Sequence, residues 1–239
     1  PEILYRDGLI LVVNKPAGIN VHAGPSGGPS LEDTFDALRF GLPKPPALAH
    51  RLDRDTSGCL VLGRHAKALR RLGALFSEGR AKKTYWAVVR GQPPQETGRI
   101  DFPLTKISSA EKGWRMVVAK DGEGQEAITD YRVRGTSDTG LTWLELRLET
   151  GRTHQIRVHL AHRRYPLVGD PLYGGRLKQP AGATEALREA LRGFRRQALH
   201  AFKLGLVHPA SGEYMEFEAP LPEDFQTLIQ VLEADREAQ

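Results

Sequence analysis

With 239 residues, 40% hydrophobic and 26% charged, the chain can bury a sizeable core and has the composition of a globular protein. No run approaches the roughly 20 apolar residues of a membrane-spanning helix. The N-terminus has neither the basic start nor the apolar centre of a signal peptide, and a lone cysteine, Cys59, excludes an intrachain disulfide, which fits a reduced, cytoplasmic setting. The net charge of +5 is unevenly placed: residues 50–90 carry ten Lys or Arg against three acids, residues 151–164 add four arginines and no acid, and residues 213–239 hold eight acids against one arginine. A basic middle suits a polyanion such as nucleic acid, although a solvated helix face has the same composition.

Residues 9–14, Leu-Ile-Leu-Val-Val-Asn, read as a buried strand closed by the turn Lys15-Pro16-Ala17-Gly18. The glycine-rich stretch 24–30 is a flexible loop without the Gly-Lys-Ser/Thr ending of a phosphate-binding loop. Ser30 caps a helix through about Phe40, with Leu31, Phe35 and Leu38 on one face. A short buried strand follows at 59–63. A helix over 66–78 then spaces Leu69, Leu72 and Phe76 on one side, turns Lys67, Arg70 and Arg71 mostly away, and ends at Gly79 in the C′ position. Residues 81–91 form a strand in which period two sets Lys83, Tyr85, Ala87 and Val89 against Thr84, Trp86, Val88 and Arg90. Tyr85 fits a core role as well as a functional one.

Strands are expected near 98–104, 114–119, 125–134 and 141–149, in an antiparallel meander with one wetter face. Thr153 then caps a helix to His162 in which Ile156 and Leu160 stack. Arg157 sits at the border of that buried stripe, where a guanidinium needs a carboxylate partner. His159 and His162 could share a metal on a helix, but no third ligand is near and no metal is expected. A turn-rich loop covers 165–175, and a short helix over 183–192 buries Leu187 and Leu191. Strands at 197–208 and 213–219 follow, and a final helix spaces Phe225, Leu228, Ile229 and Leu232 at i, i+3, i+4 and i+7. With no repeat and no dividing linker, the expectation is one α+β domain over 1–239, built around a mixed, mostly antiparallel β-sheet with flanking helices and loops.

The chemistry concentrates at residues 50–58, His-Arg-Leu-Asp-Arg-Asp-Thr-Ser-Gly, a polar loop between a proline-stiffened approach and an apolar strand. Asp53 stands among His50, Arg51 and Arg54, whose charges would favour an ionised carboxylate if they lie close in space. A salt-bridged surface turn would carry the same residues.

This loop and several other blocks resemble the RluA-type pseudouridine synthase family. In order they are 12–18 (Val-Val-Asn-Lys-Pro-Ala-Gly), 50–58, 83–91 (Lys-Thr-Tyr-Trp-Ala-Val-Val-Arg-Gly), 151–160 (Gly-Arg-Thr-His-Gln-Ile-Arg-Val-His-Leu), 169–174 (Gly-Asp-Pro-Leu-Tyr-Gly) and 199–209. The resemblance covers nearly the whole chain, and the blocks at 50–58 and 151–160 are the most specific. It implies an isomerase that detaches uracil from C1′ of a uridine in RNA, turns it and rejoins it through C5. It implies that Asp53 is the catalytic aspartate, Tyr85 the tyrosine near the uracil, Arg157 the arginine pairing with that aspartate, and Arg51 the side chain inserted where the flipped base had been. His50, Arg54, Thr56 and Arg152 are the further expected RNA contacts.

Because the catalytic pattern begins about ten residues after Pro1, the short branch of the family without an N-terminal S4 domain is expected. No cofactor is expected, since the leaving uracil is also the incoming nucleophile and needs only to be held in place. Base flipping onto an aromatic group is expected, with the basic stretches on phosphates. The RNA partner is transfer RNA or large-subunit ribosomal RNA, with no membrane, and a monomer is expected. Whether Asp53 attacks C1′ or removes the C2′ proton is open. An RNA-binding protein without chemistry is the competing class. A glycoside hydrolase using Asp53 and Asp55 is disfavoured, because residues i and i+2 in one loop do not flank a sugar from two sides.

Overall fold

A computed structural model describes residues 1–25, 27–174 and 179–237, the last without its side chain. Ser26 of the expected loop at 24–30 and Gly175 of the expected loop at 165–175 lie outside the described residues. The fold is α+β with a mixed, mostly antiparallel sheet, and the chain divides into two compact units, Pro1–Thr84 with His200–Pro222 and Tyr85–Leu199 with Glu223–Gln239.

In the first unit, strands β1 (Glu2–Arg6) and β2 (Ile10–Lys15) form an antiparallel pair, and β2 pairs antiparallel with β4 (Ser57–Gly63). The two-residue β3 (Ala47–Leu48) also pairs with β4. All seven residues of β4 and the run from Ile10 to Val13 are buried, as continuous apolar strands covered on both faces must be. Between β2 and β3 the segment Leu31–Leu38 buries Leu31, Phe35 and Leu38 as expected and has Ser30 as its N-cap. It is a 3-10 helix rather than an α-helix, and it stops short of Phe40, whose φ of 47° precedes Gly41 at 88°.

Helix α1 (Ala66–Ser77) buries Ala68, Leu72 and Leu75, one step round from the expected Leu69 and Phe76, which remain half-buried. Gly79 closes it: its amide bonds Phe76 and the Arg80 amide bonds Leu75, the paired pattern that satisfies the last carbonyls. Strand β5 (Lys82–Arg90) begins in the first unit and runs into the second. At the far end of the chain, β11 (Leu199–Val207) pairs parallel with β4 and antiparallel with β12 (Tyr214–Glu218). Leu72 and Leu75 share one core with Ile10, Val12, Val61, Leu204 and Phe217.

In the second unit, β6 (Thr97–Asp101), β9 (Ile128–Thr136) and β10 (Leu141–Leu148) form the antiparallel meander. The strand expected over 98–104 is broken at Phe102-Pro103, and a separate hairpin of β7 (Leu104–Ser109) and β8 (Gly113–Val118) follows. Pro103 has no amide for a ladder, and the Phe102 carbonyl accepts instead from His159 Nε2 at 2.9 Å. Helix α2 (Gln155–His162) starts one residue later than a Thr153 cap would place it, and Thr153 does not cap it. His154 occupies the cap position at φ 54°, and the Gln155 side chain secures the turn: its oxygen accepts from Thr150 Oγ1 and the Arg152 amide, and its nitrogen donates to Ile128 and Thr129. Helices α3 (Glu185–Gly193) and α4 (Glu223–Glu237) pack together, burying Leu187, Leu191, Phe225, Leu228, Ile229 and Leu232 as the spacing predicts. No helix among the described residues is long and apolar enough to cross a membrane.

Candidate active site

The loop at 50–58 is fixed through its backbone. Leu52 plugs into the core at 8% exposure, leaving Arg51 exposed before it and Asp53 half-buried after it. The Thr56 amide donates to the Asp53 carbonyl at 3.1 Å, closing a four-residue turn with Arg54 and Asp55 at the tip. At that tip Arg54 Nε pairs with Asp55 at 3.3 Å.

Lys15 ends β2 in register with Gly58 and has no exposed surface. Its ammonium donates to the carbonyls of Pro16 (2.9 Å), Arg54 (2.8 Å) and Thr56 (2.9 Å). Three donors meet three carbonyls, which offsets the desolvation of a buried charge and clamps the loop from beneath. The Gly18 amide adds a bond to the Arg54 carbonyl at 2.9 Å.

The residues after the turn set it into the sheet. Buried Thr56 contributes its backbone to both the turn and the Lys15 clamp. Ser57 Oγ donates to His200 Nδ1 at 2.7 Å, and His200 Nε2 donates to the Ala219 carbonyl at 3.0 Å. At Gly58, φ is 126° and an added Cβ would meet the Ala201 carbonyl oxygen at 2.2 Å, so the close approach of β11 requires glycine.

His50 departs from expectation. Its Nε2 accepts the Val61 amide at 2.9 Å and its ring stacks on Phe76 at 4.3 Å between centroids. Burial, with the nearby Lys83 charge adding to it, pushes this imidazole down to about 3. It is therefore neutral at physiological pH, a latch at the start of the loop and not a positive charge beside Asp53.

The other expected residues belong to the second unit. Tyr85 on β5 is buried, at 9% exposure. Arg152 is half-buried, with its Nε donating to the Glu126 carbonyl at 2.8 Å. Arg157 does not sit at the border of a stripe: α2 is buried from Gln155 to Leu160, and Arg157 is 6% exposed. Its Nε and Nη2 donate to Asp170 Oδ2 (2.8 Å) and Oδ1 (2.9 Å) in a fork-to-fork pair. Asp170 Oδ1 also accepts the amides of Leu172 (2.9 Å) and Tyr173 (3.1 Å). Burial pushes the Asp170 carboxyl up, but the Arg157 hydrogen bonds and charge, with the two amides, outweigh it and hold the group below the usual carboxylate range.

The carboxylate partner expected for Arg157 therefore exists, and within its own unit it is Asp170. Lys15 and Asp170 are the two positions that sequence reasoning left without a role. Their signal was their place inside the blocks at 12–18 and 169–174. The metal spacing of His159 and His162 has a structural use on one side: His159 Nδ1 accepts from Thr129 Oγ1 at 2.9 Å while Nε2 donates to Phe102.

Chemically, the loop offers a half-buried carboxylate on a turn that cannot drift, with an exposed arginine two residues away and an exposed basic face on α1 (Lys67, Arg70, Arg71). A family model described as RNA pseudouridylate synthase matches residues 9–162. Ribosomal large subunit pseudouridine synthase D of Xanthomonas campestris is 45% identical over 98% of this chain and 70% of its own length. An uncharacterized RNA pseudouridine synthase of Zymomonas mobilis is 40% identical over 95% of this chain and 96% of its own. Among solved structures, human RNA pseudouridylate synthase domain containing 4 superposes with a TM-score of 0.78 at 29% identity, covering 97% of this chain and 92% of that one.

Proposed function

The chain belongs to the RNA pseudouridylate synthase family, in its RluA-type branch, and we propose that it acts on large-subunit ribosomal RNA in the cytoplasm, with Asp53 as its catalytic group. It is an isomerase that converts uridine in RNA to pseudouridine. The observation that carries the assignment of Asp53 is its setting, a half-buried carboxylate on a turn whose carbonyls are held by a buried ammonium. The choice of RNA is supported by the 45% identical relative, which is named a ribosomal large subunit pseudouridine synthase.

In this reading Asp53 acts at the ribose, at C1′ or on the C2′ proton, while Tyr85 packs against the uracil. Arg157 is a further residue of this reading, its guanidinium oriented within its own unit by Asp170, which takes two of its five N–H groups. Arg51, exposed beside the Leu52 plug, enters the space left by the flipped base. Arg54, exposed at the tip of the turn, and Arg152 are further RNA contacts, while His50 and the Thr56 backbone hold the loop. The basic face of α1 contacts phosphates.

The test is a map of pseudouridine across stable RNA from cells lacking the gene, complemented with wild type or Asp53→Asn. Loss of specific modifications from large-subunit RNA, restored by wild type alone, is expected. Loss confined to transfer RNA would move the substrate, and restoration by Asp53→Asn would remove Asp53 from the chemistry.

A further inference from the structure

Strands β7 and β8 form a two-stranded sheet of their own in the second unit, and every residue from Lys106 to Arg115 is exposed. A lone hairpin is marginal in water. This one is fastened at its base, where Leu104 and Met116 share a small core with Ala127 and Val158. The reaction described above gives its outer part no role. That outer part carries Trp114, a tryptophan left 44% exposed.

The indole is exposed but not loose. The His154 imidazole lies nearly parallel to it, with centroids 5.1 Å apart and planes at 22°. His154 Nδ1 bonds the Tyr173 hydroxyl at 2.8 Å, and that hydroxyl accepts the Met116 amide at 3.1 Å. The Tyr173 ring in turn carries the Arg157 guanidinium, 5.0 Å from its centroid. A continuous stack thus runs within the second unit from the exposed indole to a residue of the candidate site. The charge around the indole is positive. The Lys106 ammonium lies over the ring at 4.5 Å, Lys112 and Arg115 stand on the same hairpin, and among the described residues none of the three has an acidic partner. Glu111 is the acid of the turn. The other exposed apolar side chain, Ile107, is opposite Arg115 in the register and so lies on the other face of the hairpin from Trp114. The indole is therefore an isolated aromatic surface ringed by cations. A protein-docking patch has charge depleted at its centre, whereas a base-stacking surface has this composition.

We propose that Trp114 is a stacking platform for an unpaired base of the substrate RNA other than the target uridine. Lys106, a point charge on a flexible stem, leaves the ring for the phosphate of that nucleotide, and Lys112 and Arg115 take neighbouring phosphates. The proposal rests on RNA as the substrate class and not on the choice of ribosomal RNA.

The experiment uses the whole chain as wild type, Trp114→Ala and Trp114→Phe. Affinities for a labelled single-stranded oligoadenylate and for a blunt RNA duplex are measured by fluorescence anisotropy at one fixed salt concentration. Trp114→Ala is expected to bind the single strand about 5- to 150-fold more weakly than wild type, and Trp114→Phe, which keeps an aromatic face, to recover most of that loss. Duplex binding, in which the bases are already stacked, is expected to be the same for all three. Equal single-strand affinity of wild type and Trp114→Ala would overturn the proposal and return the exposed indole to a protein partner. A Phe variant as weak as the Ala variant would overturn it too, because stacking would then contribute nothing. Loss of duplex binding in step with the single strand would make Trp114 a support of the hairpin and not a stacking surface. The oligoadenylate contains no uridine, so a wild type that left large-subunit RNA unmodified would defeat the substrate assignment without touching this inference.

Discussion

The loops at 50–58 and 167–174 each present an aspartate, and they are held by opposite means. The second is organised by its aspartate side chain: Asp170 gathers two guanidinium N–H groups and two amides, and its chain folds around those four bonds. The first is organised by backbone: Lys15 takes the carbonyls of Arg54 and Thr56, the Thr56 amide takes that of Asp53, and Ser57 and Gly58 join the loop to β11. The Asp170 loop is thus folded around a carboxylate, whereas the turn that carries Asp53 is closed by backbone groups and the Lys15 ammonium.

The largest effect that tests this contrast is on turnover. Asp53→Asn is isosteric and its turn is closed by backbone atoms, so the expected loss is at least a thousandfold in rate, about 4 kcal/mol or more of transition-state stabilisation. Its unfolding free energy should fall by less than the about 3–5 kcal/mol expected for Arg157→Ala, because the backbone bonds that close its turn remain. Steady-state pseudouridine formation and urea unfolding measure the two quantities, and a large stability loss would make Asp53 a structural residue like Asp170.

Arg157→Ala should show the converse weighting, because it leaves a buried carboxylate without its main partner. A loss of about 3–5 kcal/mol is expected in urea unfolding. The Asp170 carboxyl is held below its unfolded value of about 3.9, so its contribution is fully present above that value and disappears as pH falls through the lower folded value. The gap between wild type and Arg157→Ala should therefore be constant near neutrality and narrow below about pH 4. A gap that stays constant through pH 2–4 would mean that the pairing contributes nothing electrostatic. Lys15→Met, which removes the ammonium under the first loop, should cost about 2–3 kcal/mol through the carbonyls it strands. It should also lower turnover, because Asp53 is no longer fixed; unchanged turnover would show that the clamp does not position the carboxylate.

Much of this was legible in the sequence because it is local. The buried strands, α1 with its closing Gly79 and the α4 stripe follow from apolar spacing and terminal residues, and the loop at 50–58 declares itself by polar residues against an apolar run. What was not legible depended on contacts distant in sequence. Lys15 meets Arg54 and Thr56 only because β2 pairs with β4 in one particular register, 39 and 41 residues apart. Arg157, one step round from Ile156, reads as a stripe-border residue, but α2 is buried all round from Gln155 to Leu160, a property that the spacing of eight residues cannot reveal. Pro103 could have been read as a strand break, and the Gln155 side chain in place of a Thr153 cap could not, since its partners Ile128 and Thr129 lie on β9.

His50 supplies the smallest and most specific effect, and it concerns what keeps the first loop in place. The folded imidazole is depressed to about 3 by burial and by Lys83, while an unfolded histidine titrates near 6.5. A depressed folded value means that the stabilisation is present above about pH 6.5 and declines as pH falls toward 3, because the unfolded chain takes up a proton that the folded loop refuses. Between pH 7 and 5.5 this amounts to about 1 kcal/mol. In His50→Gln the side-chain oxygen can still accept the Val61 amide but nothing titrates, so urea midpoints for the variant should be flatter over that interval than those of wild type. Parallel curves would show that His50 is solvated and protonated in the native protein, and the loop would then carry a positive charge beside Asp53 after all.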